Sequence, residues 1–327
     1  MKLVIDRRRA ALPLIAMGAF LLTMIPMMRF VLHDQVLRLP LEQQALSRTY
    51  AKSATFLDPE TLRTRTGPLV MTRWVLGDPL AGDEDTAVWV ESNSLETESG
   101  RRLDYHERRV AFDRRTGAIV NCCGEYVDDD HRAVQSGQAL RWPFSTEPKD
   151  YQVYDLRLRK PVPAIFDGVE RVRGVDTYRF QQRTLQQRVP FGDVTSLPRR
   201  TLGLTGPGET HVWRQVEIRR TIWVEPDSGM PVKTEEQLKE TLTSDDGQGQ
   251  VVRLDAQLKT QEQQVANNLQ AAAAYQRWIL WLEIIVPIGG AVLGIACIAA
   301  GLWLSRRTSP APQHEEQVPG DDLADAR

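Results

Sequence analysis

Two adjacent cysteines, Cys122 and Cys123, lie in the run Asn121-Cys122-Cys123-Gly124 and are the most chemically specific feature of this 327-residue chain. The third cysteine, Cys297, is inside a long apolar run and is no partner for them. Outside the cytoplasm thiols tend to be oxidised, so the pair bridges either to itself or to another molecule. Neighbouring Cα atoms stand about 3.8 Å apart, below the usual disulfide range of roughly 4.4–6.8 Å. A bridge would therefore close a tight ring, stiffening a hairpin end or acting as a labile redox site. Two reduced thiols at a buried strand end are the alternative. Zinc is disfavoured, because adjacent cysteines cannot easily supply two tetrahedral ligands and no Cys or His pair stands nearby.

The remaining chemistry-bearing residues are dispersed. Asp128-Asp129-Asp130-His131 offers clustered carboxylates to a hard cation but lacks the alternating acids and the Gly of an EF-hand loop, so it reads as a solvated turn. Tyr105-His106-Glu107-Arg108 reads as strand, which sends His106 and Glu107 to opposite faces and makes them surface polar residues. His33, His106, His131, His211 and His314 form no sequence cluster. Arg101, Arg102, Arg108, Arg109, Arg114 and Arg115 gather around one hairpin, where they bind phosphate-bearing groups or form a solvated face balanced by nearby acids. There is no Walker loop, G-x-S-x-G, H-E-x-x-H or dinucleotide fingerprint. No catalytic, cofactor or metal residue is assigned, and the chain reads as non-enzymatic.

The elements that hold these residues begin with two apolar ends. Ala10 to Met28 is uncharged, about 19 residues long and preceded by Arg7-Arg8-Arg9, enough for a helix to cross the hydrocarbon core. A cleavable signal peptide needs a shorter core and a small-residue cleavage site, whereas this run ends in Pro26-Met27-Met28-Arg29-Phe30. The second apolar run, Trp278 to Leu304, is followed by Arg306-Arg307. Trp278, Trp281 and Trp303 lie at its edges, Glu283 at headgroup level, and Pro287 stands as a candidate kink. Positive flanks on the far sides of both spans place both termini in the cytoplasm and the middle outside the plasma membrane. The expected organisation is a cytoplasmic N-terminus (1–9), a transmembrane helix (10–30), a β-rich extracytoplasmic domain (31–260), a helical stalk (261–277), a second transmembrane helix (278–304) and a disordered cytoplasmic tail (305–327). A formal net charge of −2 excludes an extended basic face for nucleic acid. The preference for Arg over Lys fits a GC-rich genome such as an actinobacterium's.

The fold class is mainly β, a large antiparallel sheet flanked by the two helices. Period-2 alternation predicts strands at Leu37–Leu41, around Val70-Thr72-Trp74-Leu76, at Ala87–Val90, Tyr151–Leu158, Asp176–Gln182, Val212–Val224 and Gln250–Leu258. Asp and Gly predict turns at Phe112–Gly117, Trp223–Gly229 and Ser244–Gly247, so His211 to Lys259 reads as a meander of three or four strands. Thr184 to Thr210 is rich in Gly and Pro and reads as a long loop.

Several of these motifs resemble those of an actinobacterial membrane-protein family, the porin PorA family. They are Tyr50 to Leu62 with Phe-Leu-Asp-Pro-Glu-Thr-Leu, Val110 to Gly117, Asn-Cys-Cys-Gly-Glu at Asn121–Glu125, Trp142-Pro143-Phe144, Trp-Val-Glu-Pro at Trp223–Pro226, and the two anchors. The resemblance implies an envelope membrane protein. A pore-forming barrel needs strands with a continuous lipid-facing apolar band, which charges interrupt here. The Trp223 to Lys233 stretch also looks like the strand-turn-strand of periplasmic lipoprotein carriers, curved sheets that cradle acyl chains. Binding or transport of lipid or another envelope component is the leading expectation. A protein partner read by a structural or signalling ectodomain, and a redox role at Cys122 and Cys123, are the alternatives. The expected partners are the membrane, an envelope lipid or protein, and further copies of the chain.

Overall fold

The computed structural model describes residues 7–27, 38–189 and 196–306. They divide into two units, one spanning Leu37–Ile279 and one made of the terminal helices. The expected disordered tail beyond Arg306, together with His33, Leu37 and His314, lies outside the described residues.

The larger unit is built on antiparallel strands. Its first part holds β1 (Gln44–Leu57), β2 (Thr64–Gly77), β3 (Thr86–Thr97), β4 (Arg102–Asp113) and the short β5 (Tyr126–Val127). Then come β6 (Tyr151–Asp155), β7 (Lys160–Val172), β8 (Val175–Arg183), β9 (Gln187–Arg188) and β10 (Ser196–Pro198). The last are β11 (Glu209–Glu225), β12 (Met230–Ser244) and β13 (Gln250–Thr260). The ladder order is β5-β4-β3-β2-β1-β13-β12-β11-β8-β7-β6, with β9 and β10 added to β11. Leu95 of β3 and Ile218 of β11 lie far apart along that order yet share one core with Leu158, from the turn after β6. Only a curled sheet allows this contact, and the result is a half-barrel whose inner face is the core. At the seam Val127 packs on Tyr154 and Leu156. Burying each large aliphatic of this core is worth about 1.5–3 kcal/mol.

Asp residues define the turns, because a carboxylate can accept from the N–H groups two and three residues ahead. Asp58 accepts from Glu60 and Thr61, Asp113 from Arg115 and Thr116, and Asp155 from Arg157 and Leu158. The expected turns after Phe112, Trp223 and Ser244 are present, and β11, β12 and β13 form the expected meander. Other expectations shift. Residues 38–43 are not strand: Leu39 is a buried cap whose N–H and C=O bond Arg114, while Trp89 Nε1 donates to Pro40 O. In β2 the face carrying Trp74 and Leu76 points outward, and Leu69, Met71 and Val75 are inside. The strand expected to end at Leu158 stops at Asp155. The return arm at Ala118–Val120 makes only isolated bridges. The Thr184–Thr210 segment carries β9, β10 and a 3-10 turn at Arg199–Leu202, with residues 190–195 outside the described set.

After β13 comes α2 (Glu262–Leu280). Its first half is more than a stalk, because Val265, Leu269 and Ala272 are buried against Val172, Trp223 and Val232. Helical backbone continues through a π segment at Trp281–Ile285 into α3 (Val286–Arg306). Pro287 has no N–H to give to the Glu283 carbonyl, so the irregularity expected at Pro287 falls one turn earlier. In the smaller unit α3 packs on α1 (Arg7–Met27) through Gly294 opposite Gly18 and Gly301 opposite Ala11 and Ile15. Leu12, Phe20, Val292 and Ile295 are exposed on the outside of this pair.

Candidate binding cavity on the inner face of the sheet

Charges occupy inward positions of several strands, where hydrophobic residues would ordinarily stand. Arg214 and Arg220 of β11, Glu236 and Glu240 of β12, Asp104 of β4 and Arg253 of β13 meet Asp155 and Arg157 from the end of β6. Arg214 Nη2 lies 2.9 Å from Glu240 Oε1, and Arg253 Nη2 lies 3.0 Å from Asp104 Oδ1. Arg220 binds Glu236 at 2.6 Å and Asp155 at 3.0 Å. Arg157, projecting from the turn, approaches Asp104 at 3.6 Å and Glu240 at 3.7 Å. Four guanidiniums thus face four carboxylates. Burial opposes the charge on Asp104, but the His106 hydrogen bond and the arginines hold its carboxyl well below the usual range. Burial likewise opposes Asp155, which Arg220 and Arg157 keep ionised. Such an arrangement contributes little net stability and makes loss of any one partner costly.

A second group is not balanced. Glu91 accepts from Arg108 Nε at 2.7 Å and forms an ion pair with Arg73, whose Nε lies 2.6 Å from its other oxygen, so two guanidiniums face one carboxylate. Against the cost of burial, Arg73 and Arg108 lower the Glu91 pKa to about 2. Arg108 is fully engaged, donating also to Ala139 O and lying 5.3 Å from the Tyr154 ring centroid. Arg73 is half-exposed. Both line a cavity of about 210 Å³, together with Ser47, Thr49 and Asn93 of the sheet and Gln264 and Asn268 of α2.

One wall of the cavity is made by Arg141 and Trp142, and here two of the sequence motifs meet. Trp142 N donates to Gly229 O, Ser145 N to Asp227 O and Thr146 N to Pro226 O, so the Trp-Pro-Phe segment docks on the Trp-Val-Glu-Pro turn. Arg141 Nε and Nη2 both donate to Ser228 O, and the guanidinium lies over the Phe144 and Tyr275 rings. Trp142 packs on Phe180, while Trp223 lies under α2. The turn itself is held by Glu225, which accepts from Asp227 N and Ser228 N. The comparison with known families decides the identity: the family model described as Porin PorA matches residues 10–303. The chain belongs to the porin PorA family. No curated protein matches it.

In this PorA-family chain most of the motifs are turn and seam builders. The Asp58 turn closes on Arg65 at 3.0 Å and also engages Arg101. Asn121 Oδ1 accepts from Gln135 N, and Glu125 Oε1 accepts from Ala111 N. Cys122 and Cys123 are joined by a disulfide in an exposed turn, with Arg109 Nε donating to Cys123 O. They stand apart from the cavity lining. The Arg residues of the first hairpin do not pool into one anion-binding patch. Arg108 serves Glu91, Arg109 serves Asp78, Arg101 serves Asp58, and Arg114 donates to Leu39 O and Glu84 O.

His106 is not the surface residue expected. Its ring sits between Asp128, 2.9 Å from Nδ1, and Asp104, 3.4 Å from Nε2. Burial acts against protonation, yet bonds to Asp104 and Asp128 raise its pKa. Asp128 and Asp130 pair with Arg159 rather than forming a cation loop, and the described residues contain no cluster of metal-ligating side chains. The sequence reading missed Glu91, Arg73, Arg141 and the charged interior. The available signal was the recurrence of Arg and Glu on the apolar face of alternating strands, as in Arg214-x-Val216-x-Ile218-x-Arg220.

Proposed function

We propose that this chain is a two-pass plasma-membrane protein whose sheet domain lies outside the cell and binds, without transforming, a component of the envelope. The observation that carries the binding role is the 210 Å³ cavity on the inner face of the half-barrel, lined by fixed polar groups. The lining is mixed, with Met71, Leu140, Val153, Ile222 and Leu258 beside the polar groups, and suits a ligand that has both a polar and an apolar part. The sheet's inner face is filled by Phe112, Ile218, Leu238 and Leu254, which argues against an aqueous lumen within one chain.

Membrane insertion is supported by the smaller unit. Small residues at the helix contact and large apolar residues outside are the reverse of a soluble helix pair. The helix Glu262–Arg306 is long and apolar enough to cross, whereas the described part of the first apolar helix, Ala11–Met27, is shorter. Basic clusters at Arg7–Arg9 and Arg306–Arg307 orient both termini inward.

The test is native mass spectrometry of the full-length chain extracted in mild detergent, with chemical analysis of what co-purifies. A defined envelope component retained in stoichiometric amount supports the reading; an empty, folded protein that binds no envelope extract sinks it. A protein partner is the second reading. Leu46, Trp74 and Leu76 are exposed together on the outer face of β1 and β2, where Leu46 pairs directly with Trp74.

A further inference from the structure

Positive charge is distributed unevenly around the cavity. The interior cluster closes on itself, four guanidiniums to four carboxylates, and contributes no net charge to the lining. Arg48 and Lys233, the latter paired with Glu235, add positive charge to the lining, and two further places contribute. Arg73 and Arg108 share Glu91, leaving one positive charge over. Arg141 is only 7% exposed and, among the described residues, has no carboxylate within ion-pair distance. Its charge is supported first by Tyr275, through a side-chain hydrogen bond, and only then by Glu225, whose oxygens are already taken by Asp227 N, Ser228 and Gln276. An uncompensated buried guanidinium is costly, and offsetting it calls for an anion.

Two neutral donors also line the cavity. Trp142 and Tyr154 are 3% and 5% exposed, and Trp142 Nε1 and Tyr154 Oη find no hydrogen-bond partner among the described residues. Buried polar groups in native proteins are nearly always satisfied. The cavity has room for about seven waters at roughly 30 Å³ each, so it can hold a compact polar group.

We propose that this cavity is a phosphoryl-binding site, in which Arg141 and Arg73 receive the anion and Trp142 Nε1 and Tyr154 Oη donate to its oxygens. Guanidiniums suit this task because their forked donors match phosphate geometry. Asn93, Gln264 and Asn268 supply hydrogen bonds to the ester portion. The inference rests on the binding reading above and adds the chemical class of the ligand. A free phosphate ester and a phospholipid headgroup present the same chemistry, and the experiment separates them.

The full-length chain in a neutral detergent is titrated with inorganic phosphate and, separately, reconstituted into nanodiscs of phosphatidylcholine with or without phosphatidylglycerol. Wild type is compared with Arg73→Gln, Arg141→Lys and Tyr154→Phe. Saturable phosphate binding that weakens about tenfold in each folded variant supports the site with a free ester as its ligand. Binding seen only as phosphatidylglycerol-dependent stabilisation, lost in the same variants, supports it with a lipid headgroup. Should Arg141→Lys not fold, Tyr154→Phe decides, since it removes only an unpartnered hydroxyl and leaves the unliganded melting point unchanged or higher. Absence of both signals in folded wild type, or binding indifferent to all three variants, overturns the inference. A neutral envelope component retained by that same protein would leave the binding role standing while the phosphoryl assignment falls.

Discussion

A Cβ placed on Gly18 would stand 2.5 Å from the carbonyl oxygen of Gly294, and one on Gly294 would stand 3.0 Å from the oxygen of Gly18. Backbone meets backbone at this crossing, so no side chain can rotate away to make room. Gly18→Leu and Gly294→Leu are each expected to force the pair apart, destabilising it by about 1–3 kcal/mol. Thermal melting in detergent, followed by far-UV circular dichroism, reads the loss. Gly289→Leu is the control, because nothing lies within 4 Å of its position.

Glu91→Gln is expected to cost about 3–5 kcal/mol, because buried Arg108 then lacks its carboxylate. The same pair predicts an acid limb. With the Glu91 pKa lowered to about 2 from an unfolded value of about 4.3, its contribution is complete above the unfolded pKa and is lost as pH falls toward 2. Linkage sets that contribution at about 3 kcal/mol. Denaturant unfolding of wild type and Glu91→Gln between neutral pH and pH 3 checks both statements, since the variant should show a shallower acid loss.

His106 acts in the opposite direction. Its pKa is raised in the fold by Asp104 and Asp128, against opposing charge from Arg157, while Arg159 also faces Asp128. Protonated His106 therefore stabilises the seam fully below about 6.5, its unfolded value. That stabilisation fades as pH rises through the folded pKa. Unfolding free energy measured across this range should fall with pH in wild type and lose this component in His106→Gln.

Gly229 sits at φ +67°, and a Cβ there would lie 2.2 Å from Trp142 O. Gly229→Ala is expected to be among the more damaging single-methyl changes in the chain, costing about 2–4 kcal/mol through backbone strain and the clash. Gly247→Ala has a similar φ of +70° with nothing within 4 Å, so it should cost only the strain. The difference between their melting points isolates the contact with the Trp-Pro-Phe segment.

Replacing Cys122 and Cys123 together by Ser is expected to change stability by less than about 1 kcal/mol. Both residues are exposed, and a bridge between neighbours removes almost no loop entropy from the unfolded chain. A larger drop in melting temperature would give the pair a structural role in the turn and weaken any redox reading.

The meander and its turns were legible because Asp and Gly act locally. Asp227 and Gly229, or Asp113 and Gly117, specify a turn wherever the strands go. Which face of β2 points inward was not legible, since Trp74 and Leu76 are as apolar as Met71 and Val75. Curling of the whole sheet, a property of distant pairings, chose the latter. The same cause hid the candidate site. Arg141, Tyr154 and Glu91 come from a loop, an edge strand and a central strand, and nothing near any of them in sequence signals the others. His106 was misplaced because Asp128, just after β5, reaches its ring only through the pairing of β5 with β4, and because burial of that face comes from the curl of the whole sheet.

The ladder between β1 and β13 lies at the middle of the sheet, where Phe56 pairs with Leu254. The first and last strands of the domain therefore make its central joint. Until residue 260 has been synthesised, β1 lacks one neighbour and no strand ladder joins the halves on either side. Contacts so distant in sequence are slow to form. A chain stalled or clipped before β13 would hold two separate sheet fragments, each with an open edge, and would invite pairing with another copy. Productive folding of this domain is thus a late event, governed by delivery of its C-terminal strand.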